Sequence, residues 1–347
     1  MNNIAIDITH FDKLSGFGVV TRNIIKWLLE EQDGNFYYLF SNEEKNLDSL
    51  NEYKNFKFIK INDWFIKYKF FSLAKYLRQY KIDIFFSLDQ TLPFKKVCKY
   101  IMIEHDIWMQ RLWKKLDLLK LFLKKDFLWL YHLLDIEKYH LKKADIIITP
   151  TNYVKNDIID YYGLDKNKIK VINWWLDHLE KASEEINKEN YILFPYLNES
   201  SWFAEKLAEK ILEKKLVDKI IFLRYFKKIE NPNIINVDKK IQAEENKEFY
   251  SKAKITIYLS SNDWFWIVPL ESMHYWTPVI FNKNTCLDEV SWNGGIEIDK
   301  LNLDDFIFEI EKILKNPEVY NNQINNGYQW IKKYKWENTV KKIIDLF

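Results

Sequence analysis

Glycine is the conspicuous shortage: seven residues in 347, about 2% where roughly 7% is usual. A chain long enough for two ordinary α/β domains needs glycine wherever φ turns positive or the backbone meets a phosphate, so turn and phosphate-loop positions are undersupplied. Cysteine is almost absent. Cys98 and Cys286 form neither a disulfide framework nor a thiolate metal spacing, which suits a reducing compartment. No window approaches the roughly 18 uncharged apolar residues of a membrane span, and Met1 to Ile8 lacks the basic and long apolar regions of a signal peptide. The expected location is therefore the cytoplasm, with any membrane contact peripheral and on the inner face. Neither sign of charge dominates, 52 basic against 50 acidic residues, so no nucleic-acid partner is expected from the whole chain. Only four of the basic residues are arginine, while Asn, Ile, Tyr and Phe abound, the composition of an A+T-rich gene.

What is present is an alternation of short apolar runs with longer amphipathic stretches, the pattern of strands and crossover helices in a parallel sheet. Ile4–Ile8, Phe36–Phe40, Phe56–Ile61, Ile82–Ser87, Tyr100–Glu104 and Asp145–Thr149 read as strands, and Val19–Glu31 as a helix. The pattern pauses around Val171 to Asp177, and the charged stretch Glu180 to Glu189 reads as linker. A second series follows: Tyr191–Phe194, Lys219–Leu223, Ile234–Val237, Ile255–Leu259 and Val279–Phe281. The expected fold is α/β with two Rossmann-like halves. Residues 1–172 form the first, 173–190 the linker and 191–347 the second. Arg111 to Lys143 interleaves lysines with Leu, Phe, Trp and Tyr, and is a candidate anionic-membrane surface.

Chemistry concentrates between Asn262 and Pro278. Pro269 is placed to open a helix with Glu271 in its first turn, and Asp263 lies eight residues before that glutamate. The run Asp263-Trp264-Phe265-Trp266-Ile267-Val268-Pro269-Leu270-Glu271, followed by Thr277-Pro278-Val279, resembles the donor site of retaining GT-B glycosyltransferases of family 4 (glycosyl transferases group 1), usually written E-G-F-G-(L/I)-x-P-x-E and A-x-x-x-G-x-P-V. Ser15-Gly16-Phe17-Gly18 resembles that family's acceptor-side glycine loop, and His105-Asp106 its strand-ending His-Asp. Asp288-Glu289-Val290 before Asn293-Gly294-Gly295 is similar to its sugar-holding loop, and Tyr334-Lys335-Trp336-Glu337 to the entry of its last helix.

The resemblance implies two domains facing across a cleft, with the last helix returning to the first. It implies catalytic roles for Asp263 and His105. Donor contacts fall at Pro269, Leu270, Glu271, Thr277 and Glu289, and loop positions at Gly16 and Gly18. The basic pair that usually grips the diphosphate is missing from Asn198–Trp202, leaving Arg224 and Lys206 as alternatives. No D-x-D triplet occurs, so no metal and no organic cofactor are expected. The nucleotide sugar is a co-substrate, and the acceptor a glycan or lipid-linked hydroxyl.

A further departure is systematic. Trp175, Trp264, Trp266, Trp276 and Trp292 stand where the family has glycine, and the chain holds 14 Trp against 7 Gly. A gene in which UGA encodes glycine, translated by the code that reads UGA as tryptophan, produces both anomalies together. Trp336 stands where the family itself has tryptophan. The alternative is a lineage that placed indoles around the donor pocket, which would make the chain a noncatalytic glycan-binding or partner subunit. A dinucleotide enzyme is disfavoured, since neither half shows G-x-G-x-x-G after its first strand.

Overall fold

The computed structural model describes residues 1–13, 16–107, 136–173, 187–195, 201–223, 229–237, 241, 243–260, 267–283, 286–291, 293–332 and 334–347. It divides into two compact units, Met1–Trp174 with Trp336–Phe347, and Trp175–Lys335.

The first unit is a parallel sheet. Its strands are β1 (Asn3–Asp7), β2 (Phe36–Ser41), β3 (Phe56–Lys60), β4 (Ile84–Ser87), β5 (Lys99–Ile103), β6 (Ile146–Thr149) and β7 (Ile169–Val171). They lie in the order β3-β2-β1-β4-β5-β6-β7. Ile4 of β1 stands beside Tyr37 on one flank and Ile84 on the other. Central strands such as β4 are buried at every residue because helices cover both faces, which is why they read as continuous apolar runs. Helix α1 (Gly16–Glu30) buries Val20, Ile24, Ile25 and Leu28, whose spacing defines one helical stripe. A longer helical stretch runs as α2 (Phe65–Lys67), a π-helical turn (Tyr68–Ser72) and α3 (Leu73–Gln79). Helices α4 (Ile136–Lys143) and α5 (Asn152–Tyr162) flank β6.

The second unit repeats the plan with β8 (Tyr191–Phe194), α6 (Ser201–Glu213), β9 (Lys219–Leu223), β10 (Ile234–Val237), α7 (Ala243–Lys252), β11 (Ile255–Tyr258), α8 (Ile267–His274), β12 (Val279–Asn282), α9 (Leu287–Ser291), β13 (Ile296–Ile298), α10 (Leu303–Lys315) and α11 (Pro317–Ile331). Its sheet order is β10-β9-β8-β11-β12-β13, all parallel. Alternation along β8 sends Ile192 and Phe194 into a core with Leu207 and Ile211 of α6, and Tyr191 and Leu193 into another with Tyr250 and Tyr275.

The closing helix α12 (Trp336–Ile344) packs on α1 and belongs to the first unit. Lys99 Nζ donates to the Leu346 carbonyl at 2.6 Å, and the Phe347 ring meets Phe86 edge-on. Trp336, 1% exposed, is its anchor, and truncation to alanine there costs about 3–5 kcal/mol.

Strands β7 and β13 escape sequence reading, since three residues cannot establish a period of two. The tail of the expected linker is pinned within the second unit, where the Glu189 N–H donates to the Lys252 carbonyl at 2.8 Å. Of Arg111 to Lys143, residues 111–135 lie outside the described residues.

Candidate functional site

Both sheets have a switch point, where strand order reverses and the carboxyl ends of two neighbouring strands diverge to leave room for a ligand. In the second unit it lies between β8 and β11, and α8 follows β11. Ser272 of α8 donates to the Thr277 carbonyl at 3.0 Å, and its hydroxyl is hydrogen-bonded with that of Thr256 of β11 at 2.8 Å, fastening helix to strand. At the strand ends the Ser260 N–H donates to Asn282 Oδ1 at 2.8 Å while Asn282 Nδ2 donates to the Ser260 carbonyl at 2.7 Å.

Helix α8 starts at Ile267, two residues before the expected opening at Pro269. Proline is tolerated there because the first turn's N–H groups have no helical acceptor anyway. Glu271 consequently falls in the second turn rather than the first, half-buried, and Leu270 points into the core. Glu289 lies in the first turn of α9, half-buried. Thr277 is buried: its hydroxyl donates to the Tyr250 carbonyl at 2.7 Å and accepts from Lys188 Nζ at 2.5 Å, so it holds the turn after α8. Burial, then the nearby Lys254, pulls the Lys188 amine down to about 7. Asp263, Arg224, Trp174, Trp175, Trp264, Trp266 and Trp292 lie outside the described residues.

Trp276 is described, and its backbone is informative. The Trp276 N–H donates to the Met273 carbonyl at 3.2 Å and the Thr277 N–H to the Ser272 carbonyl at 2.9 Å, the two bonds of a Schellman helix ending. Trp276 occupies its left-handed position with φ +55°, where glycine is the usual residue. Lys81 and Lys215 also take positive φ at helix ends, but they are exposed. The Trp276 indole is half-buried, stacked on Tyr328 with centroids 3.9 Å apart, and its Nε1–H is buried without an acceptor among the described residues.

In the first unit the switch point lies between β1 and β4. Asp7 closes β1 and Asp89 follows β4; Lys69, from the π-helical turn, reaches between them, 2.7 Å from Asp7 and paired with Asp89. The lysine and both aspartates are buried, and Asp89 also accepts from Thr91 Oγ1 at 2.5 Å, with His10 Nε2 3.5 Å away. The Lys69 charge, then His10, holds the Asp89 carboxyl well below its usual range against the opposing effect of burial, and the two aspartates raise Lys69. Asp89 is thereby committed inside the fold rather than offered to an acceptor. Composition concealed this network. The available signals were a lysine inside the apolar run Tyr68-Lys69-Phe70-Phe71 and an aspartate ending a buried strand.

His105 follows β5. Burial drops its imidazole to about 4, so the ring is neutral, and its Nε2 lies 3.2 Å from the Leu88 carbonyl, which it reaches as a donor. Phe17, next to Gly16 at the start of α1, meets it edge-on at 4.6 Å. Gly18 has a reason within the chain itself. A Cβ there would stand 1.8 Å from the Lys13 carbonyl oxygen, so only glycine lets the loop close over the helix. Glu104 is buried and bonded by Gln90; burial, then Glu137 and Asp106, raise its carboxyl well above the usual range.

Each unit matches a known family. Residues 14–178 match the family Glycosyltransferase Family 4 and residues 205–330 match Glycosyl transferases group 1. The O-antigen chain mannosyltransferase RfbU of Salmonella typhimurium is 24% identical over 229 residues, and an uncharacterized glycosyltransferase of Methanocaldococcus jannaschii 25% over 225. Each alignment covers 58% of this chain and 59% of the relative. Among solved structures, sucrose-phosphate synthase from Thermosynechococcus elongatus superposes with TM-score 0.71 at 13% identity, covering 100% of this chain and 98% of the other. Anabaena HepE in complex with UDP gives 0.70 at 13%, covering 100% and 99%. WaaG, a glycosyltransferase involved in lipopolysaccharide biosynthesis, gives 0.67 at 12%, covering 99% of each. With both halves matched in sequence order on two parallel-sheet units, the chain carries the paired family 4 and group 1 domains of a GT-B glycosyltransferase.

Proposed function

We propose that the protein moves a hexose from a nucleotide diphosphate sugar to a hydroxyl of a glycan or lipid-linked acceptor, with retention of configuration. The observation that carries this reading is the seating of α8 at the second unit's switch point, inside the stretch matched to Glycosyl transferases group 1. A helix amino terminus at such a point favours a diphosphate, because free N–H groups and the positive end of the helix dipole oppose the charge that grows as the sugar leaves. In this reading Arg224 adds a cation, Glu271 takes the ribose hydroxyls, Glu289 holds sugar hydroxyls and Asp263 acts at the sugar. His105, neutral and oriented by Leu88, serves as a hydrogen-bonding wall rather than an acid. The charge is met without a metal clamp or other cofactor. UDP-glucose held by HepE and the mannosyl transfer in RfbU's name support the substrate class.

We also propose that Trp175, Trp264, Trp266, Trp276 and Trp292 are glycine in the protein the gene specifies. The left-handed backbone of Trp276 and its unbonded indole N–H support this. The test is a donor screen, by hydrolysis and transfer, on the chain with those five residues returned to glycine. Turnover is expected with one nucleotide sugar, falling sharply in Asp263→Ala and Glu271→Ala, the latter also losing nucleotide affinity. Failure of the glycine form to bind any nucleoside diphosphate overturns the reading.

A further inference from the structure

No residue given a part in donor or acceptor binding lines the cavity that the first unit opens beside α3, a pocket of about 530 Å³. Its aromatic floor is Phe70, Phe71 and Phe94. The Phe70 and Phe94 rings stack at 4.8 Å, Phe71 meets Phe94 edge-on at 5.4 Å, and Tyr139 does so at 5.9 Å. Phe71 is 60% exposed, Phe94 39% and Tyr139 45%. This exposure sits on fixed backbone: the Phe94 N–H donates to the Phe70 carbonyl at 2.9 Å, and Lys143 Nζ donates to the Phe94 carbonyl. Trp64 and Phe65, at the start of the same helical stretch, are exposed as well.

The rim is Lys75, Arg78 and Lys95. The lining includes no acid, and none of the three cations is ion-paired among the described residues. Exposed rings ringed by unpaired cations, shared between a helical stretch too polar to cross a bilayer and the segment before β5 that packs on it, form the pattern of a surface lying in a membrane interface. The aromatics suit the boundary between headgroups and acyl chains, and long cationic stems reach lipid phosphates.

We propose that this face of the first unit docks onto an anionic lipid bilayer, with Phe71 and Phe94 entering the interfacial layer and Lys75, Arg78 and Lys95 on lipid phosphates. The proposal deepens the lipid-linked reading of the acceptor by naming the surface that meets the membrane. It uses residues 70–95 and does not depend on residues 111–135.

The experiment is cosedimentation of the full chain with phosphatidylcholine vesicles, with or without 30% phosphatidylglycerol, at low and high salt. Binding is expected to the anionic vesicles only and to fall in high salt. Each cation near an anionic leaflet contributes about fivefold, so Lys75→Ala/Arg78→Ala/Lys95→Ala together weaken partition on the order of 100-fold. Phe71→Ser/Phe94→Ser weakens it at least about tenfold. Equal binding to neutral vesicles overturns the proposal. So does unchanged partition in variants that keep the parent melting temperature, or a loss of self-association in place of lipid binding. Donor hydrolysis in free solution stays unchanged in these variants, so failure here is separate from failure of the transfer reading.

Discussion

Trp276 offers a test in which the sign of an effect matters more than its size. Trp276→Ala and Trp276→Gly both delete the indole, its stack on Tyr328 and its unbonded N–H, and differ only by a Cβ at φ +55°. At ordinary helix positions alanine is the more stabilising by about 0.5–1 kcal/mol, because glycine loses more backbone freedom on folding. A left-handed residue with a Cβ costs about 1–2 kcal/mol. Subtracting the entropic disadvantage leaves glycine ahead by about 0.5–1 kcal/mol, or about 2–3 °C in melting temperature for a unit of this size. Urea melts of the two variants, at equal slope, read the difference directly. An alanine variant as stable as glycine, or more so, refutes the claim that this position is built for glycine. Trp276→Phe supplies a cross-check. It keeps a ring for Tyr328 and removes a buried N–H whose missing partner costs about 1–3 kcal/mol, so it should be at least as stable as the parent despite its smaller area.

Gly18→Ala should lose about 2–3 kcal/mol in a denaturant melt, where alanine in an open helix would gain, because its Cβ meets backbone rather than a movable side chain. Lys69→Met should cost about 3–5 kcal/mol by leaving Asp7 and Asp89 buried without their cation; a loss under 1 kcal/mol would show that the network is not needed. Lys188 sits near 7 in the fold and near 10.5 unfolded, so the unfolded chain binds the extra proton between those values and stability rises with pH, by up to about 1.4 kcal/mol per unit; Lys188→Met should remove that slope. His105 and His140, both at about 4 in the fold against 6.5, act in the acid range: stability falls as pH drops from 6.5 toward 4, and a phenylalanine at His140 should shallow the acid limb of a pH titration of melting temperature.

Strands long enough to show their pattern were legible in the sequence, often to the residue, as with Tyr191–Phe194 and Lys219–Leu223. Parallel strands buried on both faces announce themselves by composition alone. Helix α8 was misplaced by two residues because proline is favoured at the first helical position but tolerated throughout the first turn, and nothing local distinguishes the two. His105 and Glu271 were named for their motifs, and they lie just past the end of β5 and within α8. Residues whose role is a long-range partnership could not be named in this way. Lys69 meets Asp7 across 62 positions and Lys188 meets Thr277 across 89, and no periodicity encodes such distances. Gly18 was named for its motif, yet its observed necessity is steric and local, a contact with a carbonyl five residues earlier.

The two switch points solve one problem with different chemistry. Each must hold the carboxyl ends of diverging strands in register while keeping polar atoms available beside them. The second unit does so with neutral groups, Ser272 on Thr256 and Ser260 on Asn282, which carry no desolvation cost of charge. The first unit uses a buried lysine between two aspartates, an arrangement that is costly to desolvate and fails if one member is removed. The two aspartates favour the Lys69 ammonium and that ammonium in turn favours the Asp89 carboxylate, so each of these buried charges depends on the other.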